Sequence, residues 1–234
     1  MGTELVLQKL RHQTRNASVL ACKNRPGQEP VVYVLDRESA STVAWVADGA
    51  DDYVLKDCPR ELRLPGGFAW IEFPLGDHMV GVLVNERKPD EFVVDPENKL
   101  PALEYVLGVD VYWCPVAGGT VKKCEVGGMF WQNAGEWEMC GGFDYQTDDR
   151  HVTHEFSSAA DVVRGLLYLF TMGKWLNIVD TPAPVRPATR GMPQPPSYAL
   201  PVAYKLVTCT LDPDAIEGDE DGVELEYVES DTTG

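Results

Sequence analysis

A series of short apolar segments, separated by glycine and proline, limits the fold of this chain more than any other feature. FAWIEF (68–73) lies between two turn-forming stretches, and MVGVLVN (79–85) follows as its hairpin partner. VVYVLD (31–36) is rich in β-branched residues, which predicts a buried strand. Four further strand-like segments are separated by glycine-containing turns: VDVYWCPV, TVKKCEV, MFWQN and EWEMC. This spacing predicts an antiparallel sheet from about Val31 to Tyr145.

The segment after this sheet has the periodicity of a helix. Ser158 and Asp161 have the spacing of a capping box. Apolar side chains then recur at helical intervals, at Val162, Val163, Leu166, Leu167, Leu169 and Phe170. The pattern predicts a buried helix over 158–175. The secondary structure of two other segments is not decided by the sequence. Residues 1–24 fit either a strand or a short helix, and the apolar run at 41–49 is too short to assign.

The C-terminal third begins with a proline-rich segment. Residues 181–201 contain seven prolines, which favours extended backbone wrapped around the domain, or a ligand for an aromatic groove. VAYKLVTCTL (202–211) predicts a strand that returns to the core. We therefore expect a single α+β domain over 1–211, in which an antiparallel meander packs on one main helix. An acidic and flexible tail over 212–234 is expected to follow.

The net charge of −17 is concentrated in that tail. Residues 211–234 contain ten acidic residues and no basic ones, which leaves 27 acids against 20 bases, a net charge of −7, in residues 1–210. The overall acidity argues against direct binding to nucleic acid or to anionic lipid. The tail is typical of a solvated segment, and the alternatives are a docking arm for a basic partner or a mimic of nucleic-acid charge. A calcium loop fits poorly, because Val228 occupies the position where such a loop has Glu.

The cysteines and the chain start indicate the compartment. The six cysteines are widely spaced, no CxxC pair is present, and the first residues do not form an export signal. No apolar run approaches the ~18–20 residues that span a bilayer. We therefore expect reduced thiols, a cytoplasmic protein and no membrane segment. No motif for a cofactor, phosphate or dinucleotide is found, so no cofactor is expected.

One stretch carries the residue types of a catalytic or metal site. Asp148, Asp149, His151, His154 and Glu155 lie within eight residues. Two histidines three residues apart can share a metal on one helical turn, with a carboxylate as ligand or general base. However, the segment precedes the predicted helix, which favours a polar loop whose acids stabilise the helix N-terminus. No catalytic, cofactor-binding or metal-binding residue is therefore assigned, and a metal site at Asp148–Glu155 stays an alternative.

Two passages resemble proteins encoded by tailed phages and prophages. LRLPGGFAWIEFPLGDHMVGVLV (62–84) is similar to their Leu-Pro-x-x-x-x-Trp-x-Glu segment. LLYLFTMGKWLNIVDTPAPVRPATRG and LPVAYKLVTCTL, within 166–211, resemble their helix, linker and final strand. The two passages cover under a third of the chain, and that family has no assigned activity from which site residues could be transferred. The resemblance implies a phage gene product that acts in a bacterial cytoplasm.

These observations favour a non-catalytic function. The expected function is that of a phage-encoded accessory protein, which binds a host or phage macromolecule, with a protein as the expected partner. The acidic tail would contribute to binding a basic partner. The first alternative is a metal-dependent hydrolase or nuclease that uses His151, His154 and the neighbouring acids. The second alternative is a component of the virion or of its assembly, with an oligomeric state that the sequence does not define.

Overall fold

The computed structural model describes residues 4–20, 25–49, 64–87, 105–124, 128–133, 136–140, 150–183 and 195–212. These residues form an α+β fold with one mixed sheet. The helices are α1 (Val6–Thr14), α2 (Arg37–Gly49) and α3 (Arg150–Met172). The strands are β1 (Val31–Leu35), β2 (Phe68–Leu75), β3 (His78–Arg87), β4 (Tyr105–Pro115), β5 (Lys122–Lys123), β6 (Gly128–Asn133), β7 (Glu136–Cys140), β8 (Leu176–Thr181) and β9 (Tyr204–Cys209).

The strand order differs from a simple meander. The order across the sheet is β7-β6-β4-β3-β2-β1-β9-β8, and β5 pairs with β4. The predicted hairpin is confirmed as β2 and β3, and the antiparallel part continues through β4, β6 and β7. The expectation of a wholly antiparallel sheet is wrong at β1, which runs parallel to both β2 and β9. A crossover that includes α2 follows β1, and such crossovers join parallel strands.

Helices α2 and α3 cover one face of the sheet. The Asp36 side chain accepts a hydrogen bond from the Ser39 backbone N–H at 2.7 Å, which caps the start of α2. Gly165 of α3 lies so close to the Val43 carbonyl of α2 that a Cβ there would collide with it. Alternate residues of the central strands fill the core on this side, among them Tyr33, Ile71, Phe73, Val82, Val111 and Val207.

The other face of the sheet is partly covered by α1. Val6, Leu7 and Leu10 of this helix are buried against Val32, Trp70 and Cys114. The Gln13 side chain fixes the end of α1, because it both donates to the Val121 carbonyl (3.1 Å) and accepts from the Val121 N–H (2.8 Å). The sequence allowed either a strand or a short helix within residues 1–24. The structure forms the helix, over Val6–Thr14.

The main predicted helix is present with different ends. Helix α3 begins at Arg150 rather than at 158, and ends at Met172 rather than at 175. It ends there because Gly173 adopts a left-handed conformation, with φ of 63°, and donates its N–H to the Leu169 carbonyl. The chain then forms β8, a strand that the sequence analysis does not predict. The predicted closing strand is confirmed as β9.

Several predictions fall outside the described residues. These are the part of the predicted sheet at 88–104, most of the proline-rich segment, at 184–194, and the tail from 213 onward. The extended wrap and the flexible tail stay predictions. Within the described ranges, no helix is both long enough and apolar enough to cross a membrane.

Candidate functional site

The histidine and acid cluster lies partly outside the described chain. Asp148 and Asp149 precede the described segment, and the side chains of His151, His154 and Glu155 are not described. The backbone shows one correction: from Arg150 onward this stretch is not a loop before the helix, because α3 already begins at Arg150. Among the described side chains, no group of three or more His, Cys, Asp or Glu is placed to hold a metal ion.

Glu72 on β2 is a charged side chain that the fold buries completely. Its carboxylate accepts three hydrogen bonds at 2.7–2.8 Å: Oε2 from the Val6 N–H, and Oε1 from the Leu7 N–H and the Trp70 Nε1–H. Val6 and Leu7 are the first two residues of α1, whose preceding residue, Leu5, provides no side-chain cap. Glu72 therefore caps α1 from a distance of about 65 residues along the chain.

This arrangement explains the electrostatics of Glu72. Burial raises the pKa of its carboxyl group, while the three hydrogen bonds and the charge of Lys9 act in the opposite direction. The thiol of Cys114 lies 3.7 Å from the Lys9 Nζ, and burial raises the pKa of this thiol. Both carboxylate oxygens accept hydrogen bonds from donors of the fold, and the burial that raises the pKa of Cys114 makes its thiol harder to ionise. The arrangement supports the docking of α1 rather than acid–base or nucleophilic chemistry.

The outer strand β8 is the second notable feature. It lies at the end of the strand order and pairs with β9 alone among the described strands. The Trp175 carbonyl, just before β8, accepts the Thr210 N–H at 2.8 Å. Because backbone groups alternate along an antiparallel strand, those of Leu176, Ile178 and Asp180 point away from β9. Their N–H and C=O groups form the edge of the described sheet.

The side chains of this edge are unusually apolar for a surface. Ile178 is 41% exposed and lies beside the buried Val207, on the face that α2 and α3 cover. On the opposite face, Val179 (49% exposed) pairs directly with Leu206 (38% exposed). Asp180 is ion-paired with Lys205. Natural edge strands are commonly protected by Pro or Lys, and β8 contains neither. This edge, Leu176–Thr181 with its backbone groups and exposed apolar side chains, is called the β8 edge below.

The sequence alone assigned no role to Glu72 or to the β8 edge. For Glu72 a signal was present, since Trp70 and Glu72 are the Trp and Glu of the Leu-Pro-x-x-x-x-Trp-x-Glu segment. For the β8 edge no local signal existed, because LNIVDT is a short run that follows a helix and precedes prolines. Its exposure depends on the strand order, which the sequence pattern does not specify.

The fold and the β8 edge define an α+β protein with a mixed sheet that presents an outer strand. No protein-family model, no curated protein and no solved structure matches the chain. The function is therefore inferred from the geometry of the described residues.

Proposed function

We propose that this chain is a non-catalytic binding protein, which takes up an extended strand of another polypeptide at the β8 edge. The observation that carries the proposal is the alignment of the outward backbone groups of Leu176, Ile178 and Asp180 with exposed apolar side chains on both faces. Added strands gain affinity from main-chain hydrogen bonds and specificity from alternate side chains, and the β8 edge offers both.

The buried groups support a binding role over a catalytic one. Glu72 directs both of its oxygens to donors within the fold, and Cys114 lies beneath α1, where burial raises the pKa of its thiol. Both Glu72 and Cys114 contribute to the docking of α1 onto the sheet. Among the described residues, three of the five exposed large apolar side chains, those of Ile178, Val179 and Leu206, lie on β8 and β9, at the opposite end of the strand order from the β6–β7 pair.

The proposal includes the provenance that the sequence resemblance implies. In it, the chain is an accessory protein of a tailed phage, which acts in the cytoplasm of the bacterial host on a host or phage protein. The acidic residues of 212–234 would attract a basic partner over the range set by ionic screening, about 8–10 Å at physiological salt. The tail would provide this attraction independently of the strand that the β8 edge takes up.

The experiment compares two exposed valines with nearly equal exposure. Val179 in the β8 edge is 49% exposed, and Val116 in the turn after β4 is 47% exposed. Tagged wild-type, Val179→Lys and Val116→Lys chains are used to capture proteins from host lysate that also contains an untagged copy of this chain. A lysine on an edge strand blocks strand addition. We expect Val179→Lys to lose the captured protein and Val116→Lys to retain it; equal capture by all three would contradict the proposal.

A second candidate is a metal-dependent hydrolase or nuclease at His151 and His154. The observation in its favour is that α3 begins at Arg150, so the two histidines lie three residues apart within a helix. Residues at this spacing are neighbours on a helix surface. Elemental analysis of the purified chain and of His151→Ala tests it: a stoichiometric metal that the variant loses supports this candidate, and no metal in the wild-type chain excludes it.

A further inference from the structure

We infer that the strand taken up at the β8 edge is the β8 strand of a second copy of this chain. This inference rests on the proposed function, since it names the polypeptide that the edge takes up. It concerns an antiparallel pairing of two β8 strands about a two-fold axis that lies midway between their two Ile178 residues and is perpendicular to the sheet. Such pairing joins the two sheets into one.

The first argument is the backbone pattern of the edge. The outward groups belong to Leu176, Ile178 and Asp180, which are spaced evenly about Ile178. The Cys209 N–H, opposite Leu176, donates to the Ser39 Oγ at 3.0 Å and so also points away from the space between β8 and β9. A two-fold axis at Ile178 places Ile178 opposite itself and Leu176 opposite Asp180 of the second copy. All three outward positions are then paired by main-chain hydrogen bonds.

The second argument is the apolar character of the position on the axis. Ile178 is 41% exposed, and its neighbour on β9, Val207, is completely buried in the core under α2 and α3. In the pairing, the two Ile178 side chains meet on the same face of the joined sheet, because directly opposed residues share a face. The contact joins the apolar cores of the two copies and covers the Ile178 side chain, which is partly exposed in the isolated chain.

The third argument is the distribution of charge. The charged residue of β8, Asp180, lies two positions from the axis, so the two Asp180 positions are about 14 Å apart in the pairing. This separation exceeds the screening length at physiological salt. Each Asp180 also keeps Lys205 of its own chain as an ion-pair partner. Between the two β8 strands themselves, the pairing therefore brings no like charges into contact, although the chain as a whole is acidic.

The test replaces Ile178, the residue next to the two-fold axis, by a charged residue. The full chain, with a mass of 25.9 kDa, is measured by sedimentation velocity across a concentration series as wild type, Ile178→Lys and Ile178→Asp. We expect a dimer for the wild type and an association about tenfold or more weaker for each variant alone, because like charges directly opposed in a sheet repel. An equal mixture of the two variants should restore the dimer, since Lys then faces Asp. Val116→Lys, with a comparable change on a distant surface, should dimerise like the wild type.

Several outcomes would overturn the inference. These are a wild-type chain that stays monomeric throughout the series, a dimer that persists in both Ile178 variants, and a mixture that fails to restore association. Urea unfolding of each variant establishes that it is folded. The wild type could be monomeric and still capture another protein that Val179→Lys does not capture. This result would contradict the inference and leave the proposed function standing. Capture that is unchanged in Val179→Lys would remove the proposed function itself.

Discussion

The buried carboxylate of Glu72 is the group whose replacement should affect the fold most directly. Glu72→Leu preserves much of the side-chain volume and removes the acceptor from three buried donors, the N–H groups of Val6 and Leu7 and the indole N–H of Trp70. Each buried donor left without an acceptor costs about 1–3 kcal/mol. Part of this total is offset because leucine has no carboxylate charge that must be desolvated on folding. We expect the free energy of unfolding to fall by about 3–5 kcal/mol. Glu72→Gln, which keeps one oxygen, should cost less.

The measurement is urea unfolding followed by tryptophan fluorescence, together with hydrogen exchange at the amides of Val6 and Leu7. The matched control is Glu29→Leu, because Glu29 also binds α1, through an ion pair of 2.7 Å with Arg11, but its side chain is 55% exposed. An exposed pair of this kind contributes at most about 1 kcal/mol. If Glu72→Leu were no more destabilising than Glu29→Leu, or if the two amides exchanged at unchanged rates, the capping of α1 by Glu72 would be refuted.

The same residue predicts a dependence on pH. Burial raises the pKa of Glu72 above its ordinary value of 4.5, so the folded chain binds this proton more tightly than the unfolded chain. The contribution of Glu72 to the free energy of unfolding is therefore largest in acid and declines as the pH rises from 4.5 through the folded pKa. The wild-type chain should lose stability relative to Glu72→Gln over this interval, as measured by urea unfolding at each pH. A wild type that gains stability relative to the variant would contradict the sign.

Three further predictions concern packing and the tail. Gly81→Ala should lower the free energy of unfolding by about 1–3 kcal/mol in urea titrations, because the added Cβ collides with the indole of Trp70. Gly165→Ala should lower it similarly although alanine favours helices, because its Cβ collides with the Val43 carbonyl; a stabilised variant would contradict this close approach. A chain without residues 212–234 should unfold at an unchanged urea midpoint and capture less partner at low salt; unchanged capture would remove the tail from the binding proposal.

The sequence predicted the elements whose determinants are local. FAWIEF and MVGVLVN are joined by a short turn, so their pairing as β2 and β3 depends on neighbouring residues alone. The helix α3 was identified from its apolar periodicity, and its true start at Arg150 was missed because the capping-box pattern at Ser158 lies inside the helix. A local start signal is therefore weaker evidence than the periodicity that follows it.

The elements that the sequence did not define depend on distant partners. Helix α1 could not be told from a strand because its cap is not in its own segment but on Glu72 of β2. The direction of β1 was predicted incorrectly because the crossover helix α2, which makes β1 parallel to β2, was not assigned from the short apolar run at 41–49. The second parallel neighbour of β1, the strand β9, lies more than 160 residues later in the chain. The exposure of the β8 edge follows from the same long-range order. The proposed binding site is consequently a property of the topology rather than of a motif.

The parallel pairing of β1 with β9 also has a consequence for how the chain folds during synthesis. Tyr33 is paired with Lys205, so the centre of the described sheet stays open until residue 205 and its neighbours have left the ribosome. Until then β1 has β2 alone as a neighbour in the described sheet, and β8 is not yet joined to that sheet, because β9 is the strand that connects them. Contacts between residues so far apart in the chain form slowly, because the entropy of closing a long loop is lost before the contact is gained. The β8 edge therefore joins the described sheet only when β9 is available, and a nascent chain cannot present it to a partner as a sheet edge before residue 209 has been synthesised.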